Sequence, residues 1–362
     1  MITREDRHHA LRVALAALLV GAGTVLAQTP GLTLTNTDGG ELWLREPPAR
    51  IAVLGRGSFM IVGTAALFPG ARERLRAAVD ARQLRGENLE FLVSAGRVAP
   101  DLVLFGGEVG PEQLAPLRPD LVLLKSTSAR LGDALEKIGL PAFQFDLETP
   151  EHYERELFTL GQILGDAPRA ADLRSYYRER RTRIAARLTD LPSEQRPRVL
   201  LVQTSARAGT RAFRVPAAEW LQTRLVEMAG GLPVWRDATQ RSSWTVISLE
   251  QAAVWNPEIL LVVDYGEGDP ETASLIRTDR TWQKLEAVRN RRVWTFPGDL
   301  VTWDQPDPRW ALGLMWVAKR LHPERFADLD LWAEVVTFYR WYGLTESDVD
   351  ARIKPRLRGD WQ

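Results

Sequence analysis

The chain has 362 residues, 45% hydrophobic and 26% charged, with 47 Lys and Arg balancing 47 Asp and Glu. That length admits one very large domain or two of ordinary size. The composition excludes a disordered or fibrous chain, and the balanced charge excludes the basic excess that nucleic-acid binding needs. No cysteine is present, which excludes disulfides, thiolate metal sites and a lipid-bearing cysteine.

The first 27 residues predict a secretory signal peptide. Arg4, Arg7 and Arg12 form a basic flank, Val13 to Leu26 is largely apolar, and Val25-Leu26-Ala27 supplies small residues before Gln28. The apolar run falls short of the roughly 20 residues that a membrane span needs. Removing residues 1–27 takes away three Arg and two acids, leaving 44 basic and 45 acidic residues and a net charge of −1. An exported, unanchored chain is expected to be a soluble monomer in the bacterial periplasm.

Gln28 to Pro48 predicts an irregular lead-in with short strands at Leu32–Thr35 and Glu41–Leu44 around the turn Asp38-Gly39-Gly40. Arg50–Leu54 then predicts a strand, Gly55-Arg56-Gly57-Ser58 a glycine loop, and the residues to Leu67 a helix. Leu75–Val79 is expected to be a strand and Leu89–Val93 a short helix; Asp101–Phe105 is ambiguous. Glu112–Leu117 predicts a helix, Pro119–Leu124 a buried strand, Leu131–Ile138 a helix and Ala142–Phe145 a strand. Strands alternating with helices imply a parallel sheet covered on both faces.

Between Pro150 and Pro192 the spacing predicts two helices. Tyr153, Leu157, Leu160 and Leu164 share one helical face, and Leu173, Tyr177, Ile184 and Leu188 share another. Gly165-Asp166-Ala167-Pro168 breaks them. The second helix, over 168–190, would be roughly 35 Å long, enough to join two lobes. After it the α/β pattern restarts. Strands are expected at 197–203, 257–265 and 292–296, and helices at 216–228, 249–253, 307–321 and 331–342, with 274–277 in a short helix or loop. "LRPDLVLL" (117–124) and "WNPEILLV" (255–262) share one design. The expected architecture is α/β: two Rossmann-like lobes, 28–167 and 191–362, joined by one long helix with a ligand cleft between them.

Catalytic motifs are scarce. Gly55-Arg56-Gly57 lacks the third glycine of a dinucleotide site, where Met60 stands, and G-x-S-x-G, P-loop and H-E-x-x-H patterns do not occur. His152 and His322 are the histidines left after export and are expected to face solvent. Without cysteine or clustered histidine, a protein-only zinc or copper site is not expected. The chain is therefore expected to bind rather than catalyse.

The segments "PPARIAVLGRGS" (47–58), "LRPDLVLLKST" (117–127), "LEKIGLPAFQFD" (135–146), "LGQILGDAPRAADL" (160–173), "SLEQAAVWNPEILLV" (248–262) and "WQKLEAVRNRRVWTFPG" (282–298) carry a resemblance over nearly all of residues 47–345. Together they resemble the periplasmic substrate-binding proteins of ABC importers for iron–siderophore complexes, haem and vitamin B12. The resemblance implies two α/β lobes joined by a helix, a ligand held between them, and an ABC permease in the inner membrane as partner.

Ligands of open α/β sheets sit outside the carboxyl ends of the strands. Applied to this chain, that places Arg56, Ser58, Phe59, Lys125 and Ser126 on the first lobe. On the second it places Ser205, Arg207, Arg211, Phe213, Arg214, Trp235, Arg241, Trp244, Tyr265, Trp303 and Asp304. The set is aromatic and basic. Guanidinium groups suit carboxylate or catecholate oxygens through forked hydrogen bonds, so the expected ligand is a bulky anionic metal chelate, most simply a ferric siderophore, with no covalently bound cofactor. Cobalamin or haem is the alternative within the class, and an exported enzyme or chelatase on the same fold the alternative outside it. Haem binders in the resembled family make Tyr265 a candidate phenolate donor to iron. The resemblance also implies one acidic docking residue per lobe for the permease. Glu112 matches the first; Leu232 stands where an acid often follows paired glycines, which leaves Glu227 as the substitute.

Overall fold

The computed structural model describes residues 31–36, 39–207, 210–239, 243–265 and 272–362, with the backbone alone over 205–207 and 210–211. The expected signal peptide, 1–27, lies outside the described residues. A two-stranded lead-in, β1 (Leu32–Thr35) against β2 (Glu41–Leu44), pairs antiparallel with Leu32 opposite Leu44. The first large sheet contains β3 (Ile51–Leu54), β4 (Leu75–Val79), β5 (Val103–Phe105), β6 (Leu121–Lys125) and β7 (Ala142–Phe145), in spatial order β5-β4-β3-β6-β7. All its pairs are parallel. Every residue of β3 and β6 is buried, which is why these strands read as unbroken apolar runs rather than alternations.

The second large sheet contains β8 (Arg198–Arg207), β9 (Thr210–Val215), β10 (Leu232–Pro233), β11 (Thr245–Ile247), β12 (Ile259–Val263) and β13 (Val293–Thr295). Its order is β11-β9-β8-β12-β13, with β10 added beside β8. The contacts β8–β12, β12–β13 and β10–β8 are parallel, but β9 folds back antiparallel on β8 and β11 pairs antiparallel with β9. Sequence reasoning did not anticipate β9 or β11. The reason is local: Phe213 packs edge-on against Trp282 at 4.7 Å, while Arg214 lies opposite Gln203 on the other face. A strand that is apolar on one side and polar on the other carries no continuous hydrophobic run. The predicted 216–228 helix begins only at Leu221, with Trp220 at its N-cap.

The helices Pro150–Leu164 and Ala167–Arg187 connect the lobes. Asp166 caps the second by accepting from Arg169 N at 3.1 Å. At 21 residues it is roughly 32 Å long. A column of rings runs through this joint. Tyr153 meets Tyr177 edge-on at 5.0 Å, and Tyr177 stacks on Trp310 at 5.0 Å and 13°. Tyr177 Oη donates to Pro308 O at 2.7 Å. Farther along, Arg180 and Arg183 both bind Glu334, at 3.0 and 2.6 Å. Residues Leu32–Gln362 form one compact unit.

The tail after Leu344 touches both lobes. Its helix Glu346–Arg352 sends Arg352 to Ser94 Oγ at 2.6 Å on the first lobe. Arg358 pairs through its backbone with Gly298, and Asp360 O accepts from Trp316 Nε1 at 2.7 Å on the second. The histidines are not simply solvated. His152 is half-buried against Asp146, and His322 is half-buried beneath Gly230 O at 3.3 Å, where burial lowers its pKa.

Candidate functional site

A cavity of about 350 Å³ opens between the lobes at the carboxyl ends of β3, β8 and β12. That is the low end of the roughly 300–1,000 Å³ typical of small-molecule sites. The first-lobe wall starts from the loop after β3. Gly55 and Gly57 both have positive φ, 75° and 79°, a conformation costly for any side chain. A Cβ at Gly55 would also lie 2.5 Å from Ser128 Oγ. The tight turn leaves Arg56 exposed at the rim and starts the helix Ser58–Ala65, whose Phe59 and Met60 reach the cavity.

The second-lobe wall uses the unexpected hairpin. The β8–β9 register sets Arg214 opposite Gln203, and Arg214 Nε donates to Gln203 Oε1 at 2.9 Å. Beside them three rings stand edge-to-face: Trp220 to Trp244 at 5.8 Å, and Trp244 to Tyr265 at 6.0 Å. Gln83, Gln222 and Gln305 add amides to the wall. Glu148 is also there, but Lys125 Nζ binds its Oε1 at 2.8 Å. Arg56 and Arg214 bring one guanidinium to the lining from each lobe.

Beneath the cavity, Tyr265 Oη donates to Asp304 Oδ2 at 2.5 Å, and Gln222 Nε2 lies 3.5 Å from the same oxygen. Asp304 is fully buried and its other oxygen has no partner. Burial raises its pKa to about 6. Desolvation of the Tyr265 hydroxyl by burial, with the adjacent Asp304 charge, raises the phenol well above its ordinary pKa.

The structure brings together Arg56, Phe59, Arg214, Trp244 and Tyr265 of the residues singled out in the sequence. Others stand elsewhere. Ser58 is buried and donates to Val79 O at 2.8 Å. Lys125 is 2% exposed and neutralises Glu148 instead of facing the cavity. Trp235 is fully buried, its indole donating to Thr223 Oγ1 at 3.2 Å. Trp303, expected at the cleft, is also fully buried and donates to Asp299 Oδ2 at 3.2 Å. The Tyr265 hydroxyl is engaged by Asp304. The side chains of Arg207 and Arg211 and the whole of Arg241 lie outside the described residues. Sequence reasoning missed Met60, Gln83, Glu148, Gln203, Trp220, Gln222 and Gln305. Uncharged amides carry no motif, and the one available signal was the presence of Trp220 close in sequence to Trp244.

Of the two expected docking acids, Glu112 is exposed on the short helix Pro111–Leu114. Glu227 is half-buried and clamped between Arg224, at 2.8 Å, and Arg236. Its charge is shared with these two arginines of its own lobe. Leu232, after the paired glycines, is 41% exposed. Among the described residues no group of three or more His, Asp or Glu is placed to hold a metal ion, and no helix is long and apolar enough to cross a membrane.

Comparison with known proteins agrees with this geometry. The profile of a family described as periplasmic binding protein matches residues 93–300. The molybdate-binding protein MolA of Haemophilus influenzae is 34% identical over 105 residues, which is 29% of this chain and 29% of that protein's length. Its crystal structure with molybdate superposes with a TM-score of 0.69 at 20% identity, covering 87% of this chain and 98% of that one. A periplasmic solute binding protein from Veillonella parvula gives 0.69 at 22% identity over 90% and 97% of the two chains. Helicobacter pylori CeuE in a Ni-His complex gives 0.70 at 19% identity over 89% and 99%. Those structures share the two-lobed fold, and with the profile match over more than half its length, this chain belongs to the periplasmic binding protein family.

Proposed function

We propose that this protein is the periplasmic substrate-binding component of an ABC importer and that it captures a bulky, net-anionic metal chelate, most simply a ferric siderophore, for delivery to an inner-membrane permease. The observation carrying this reading is the pairing of Arg56 and Arg214 across one cavity with the Trp220, Trp244 and Tyr265 rings. Guanidinium groups from both lobes suit ligand oxygens, and edge-to-face rings suit the flat, greasy flanks of a chelate. The phenol of Tyr265, held by Asp304, offers the ligand a ring face and does not act as an iron ligand. Glu112 is the first-lobe docking acid in this reading.

A second reading is a bare oxyanion. The relationship to a molybdate-binding protein favours it. The aromatic wall and the cavity of about 350 Å³ favour the larger ligand, because a small oxyanion would leave apolar surface and most of that volume in water. Calorimetric titration of the purified protein with ferric dicitrate, ferric enterobactin, haemin, cobalamin and sodium molybdate separates the two. Saturation by a ferric chelate supports the first, and saturation by molybdate alone replaces it with the second.

A further inference from the structure

A second cavity, of about 460 Å³, adjoins the first. Gln83, Tyr265 and Gln305 line both, so the two are compartments of one space separated by a sill. At the sill Gln83 Nε2 donates to Gln305 Oε1 at 3.4 Å between the lobes. A hydrogen bond of that length is weak and easily exchanged for one to a ligand. The far wall of this annex is the C-terminal tail, through Arg358 and Gly359.

We infer that the annex is a second ligand subsite, closed by the tail, which takes a carboxylate-bearing arm of the chelate seated in the first cavity. The inference rests on the chelate reading and adds to it the shape and charge of the ligand. Arg82 from the first lobe and Arg358 from the tail bound the annex. Arg358 lies 3.6 Å from Glu87, with side chains 73% and 52% exposed. Such a surface pair contributes little, so a ligand carboxylate can replace Glu87 at small cost. Of the acids on the wall, Asp299 is engaged by Arg309 at 2.7 Å and by the Trp303 indole. Asp264, next to Tyr265 in the chain, is the other acid on this wall. Leu300 and Val301 supply an apolar stretch for the methylenes between.

The tail wall is fixed in place. Arg358 N donates to Gly298 O at 2.8 Å. Gly359 has φ 73°, and a Cβ there would lie 2.6 Å from Phe296 O, so the approach requires glycine. The arrangement explains why a tail that begins on the second lobe also binds Ser94 and Glu87 on the first: it spans the mouth of the cleft.

The test uses one chelate head with and without the arm: ferric N-succinyl-desferrioxamine B and ferric N-acetyl-desferrioxamine B, titrated into the full mature chain. Wild-type protein is expected to prefer the succinyl form by about tenfold or more, the scale of one charge-assisted hydrogen bond. R82E/R358E, which changes exposed side chains, and L300W, which fills the annex, are expected to erase that preference. Equal affinities for the two forms, unmoved by either variant while R56A weakens both, would overturn the annex and leave the chelate reading standing. Absence of saturable binding by either form, or by any ferric chelate of the wider panel, would overturn both.

Discussion

Tyr265 donates its hydroxyl proton to Asp304 Oδ2 over 2.5 Å, and this pair lies under the floor of the cleft. Burial holds the Asp304 pKa near 6, above the ordinary 3.8. The folded protein therefore keeps this proton more tightly than the unfolded chain does. The resulting stability is fully present below about pH 4 and is lost as pH rises through 6. Glu156, raised to about 7 by burial beneath the amides of Asp146 and Leu147, acts in the same direction. His322, depressed by burial, acts in the opposite one. The comparison with Asp304→Asn isolates the term. Urea midpoints between pH 4.5 and 7.5 should fall less with rising pH in the variant, by on the order of 2–3 kcal/mol for a shift of about two pKa units. Parallel profiles for the two proteins would show that Asp304 is ionised throughout.

Arg56 and Arg214 line the cavity from opposite lobes, so on the proposed reading each removal should weaken binding. Charge-assisted hydrogen bonds contribute about 1.5–3 kcal/mol, so Arg56→Ala or Arg214→Ala should raise the Kd of a ferric chelate about 10- to 100-fold by fluorescence titration. Arg214→Ala also strips Gln203 Oε1 of its donor and should cost some stability; Arg56→Ala, at an exposed rim, should not.

Trp244 and Trp303 separate binding from packing. Trp244→Phe should remove much of the ligand-induced quenching and leave the melting temperature nearly unchanged. Trp303→Phe loses buried volume and the bond to Asp299, costing about 1–3 kcal/mol of stability, while chelate affinity stays within about twofold, below 0.5 kcal/mol. A large affinity loss in Trp303→Phe would mean that the loop it anchors positions the ligand.

Docking is expected to depend on Glu112 and not on Glu227. In a reconstituted uptake assay Glu112→Ala should slow transport at unchanged ligand affinity. Glu227→Ala loses two partly exposed ion pairs, less than about 1 kcal/mol each, and should leave transport near wild type. The reverse pattern would return the docking role to Glu227.

The parallel core was legible because buried strands announce themselves. Leu75–Val79 and Ala142–Phe145 were expected where they occur, and the largely exposed lead-in strands were placed by the turn signal Asp38-Gly39-Gly40 between them. The hairpin β8–β9 was not, because one of its faces belongs to the cleft and keeps Gln203 and Arg214 polar. The same division explains the site. Arg56 and Tyr265 sit directly after strands and could be placed from topology alone. Trp303 could not, because its polar neighbours hide what backs it: in the helix Trp310–Leu321, Gly313 allows the backbone to approach so closely that a Cβ would fall 2.2 Å from Trp303 O. Gln83, Gln222 and Gln305 come from three distant segments, and nothing in a local pattern joins them.

The most direct test of the central claim is tryptophan fluorescence of the mature protein during titration with ferric chelates, haemin, cobalamin and molybdate. Trp220 and Trp244 line the cleft, so the account expects strong, saturable quenching by an anionic ferric chelate, with a Kd below about 1 μM, or −8 kcal/mol, lost in the Arg56→Ala/Arg214→Ala double variant. Saturation by molybdate alone, or undiminished chelate binding in that variant, would contradict it.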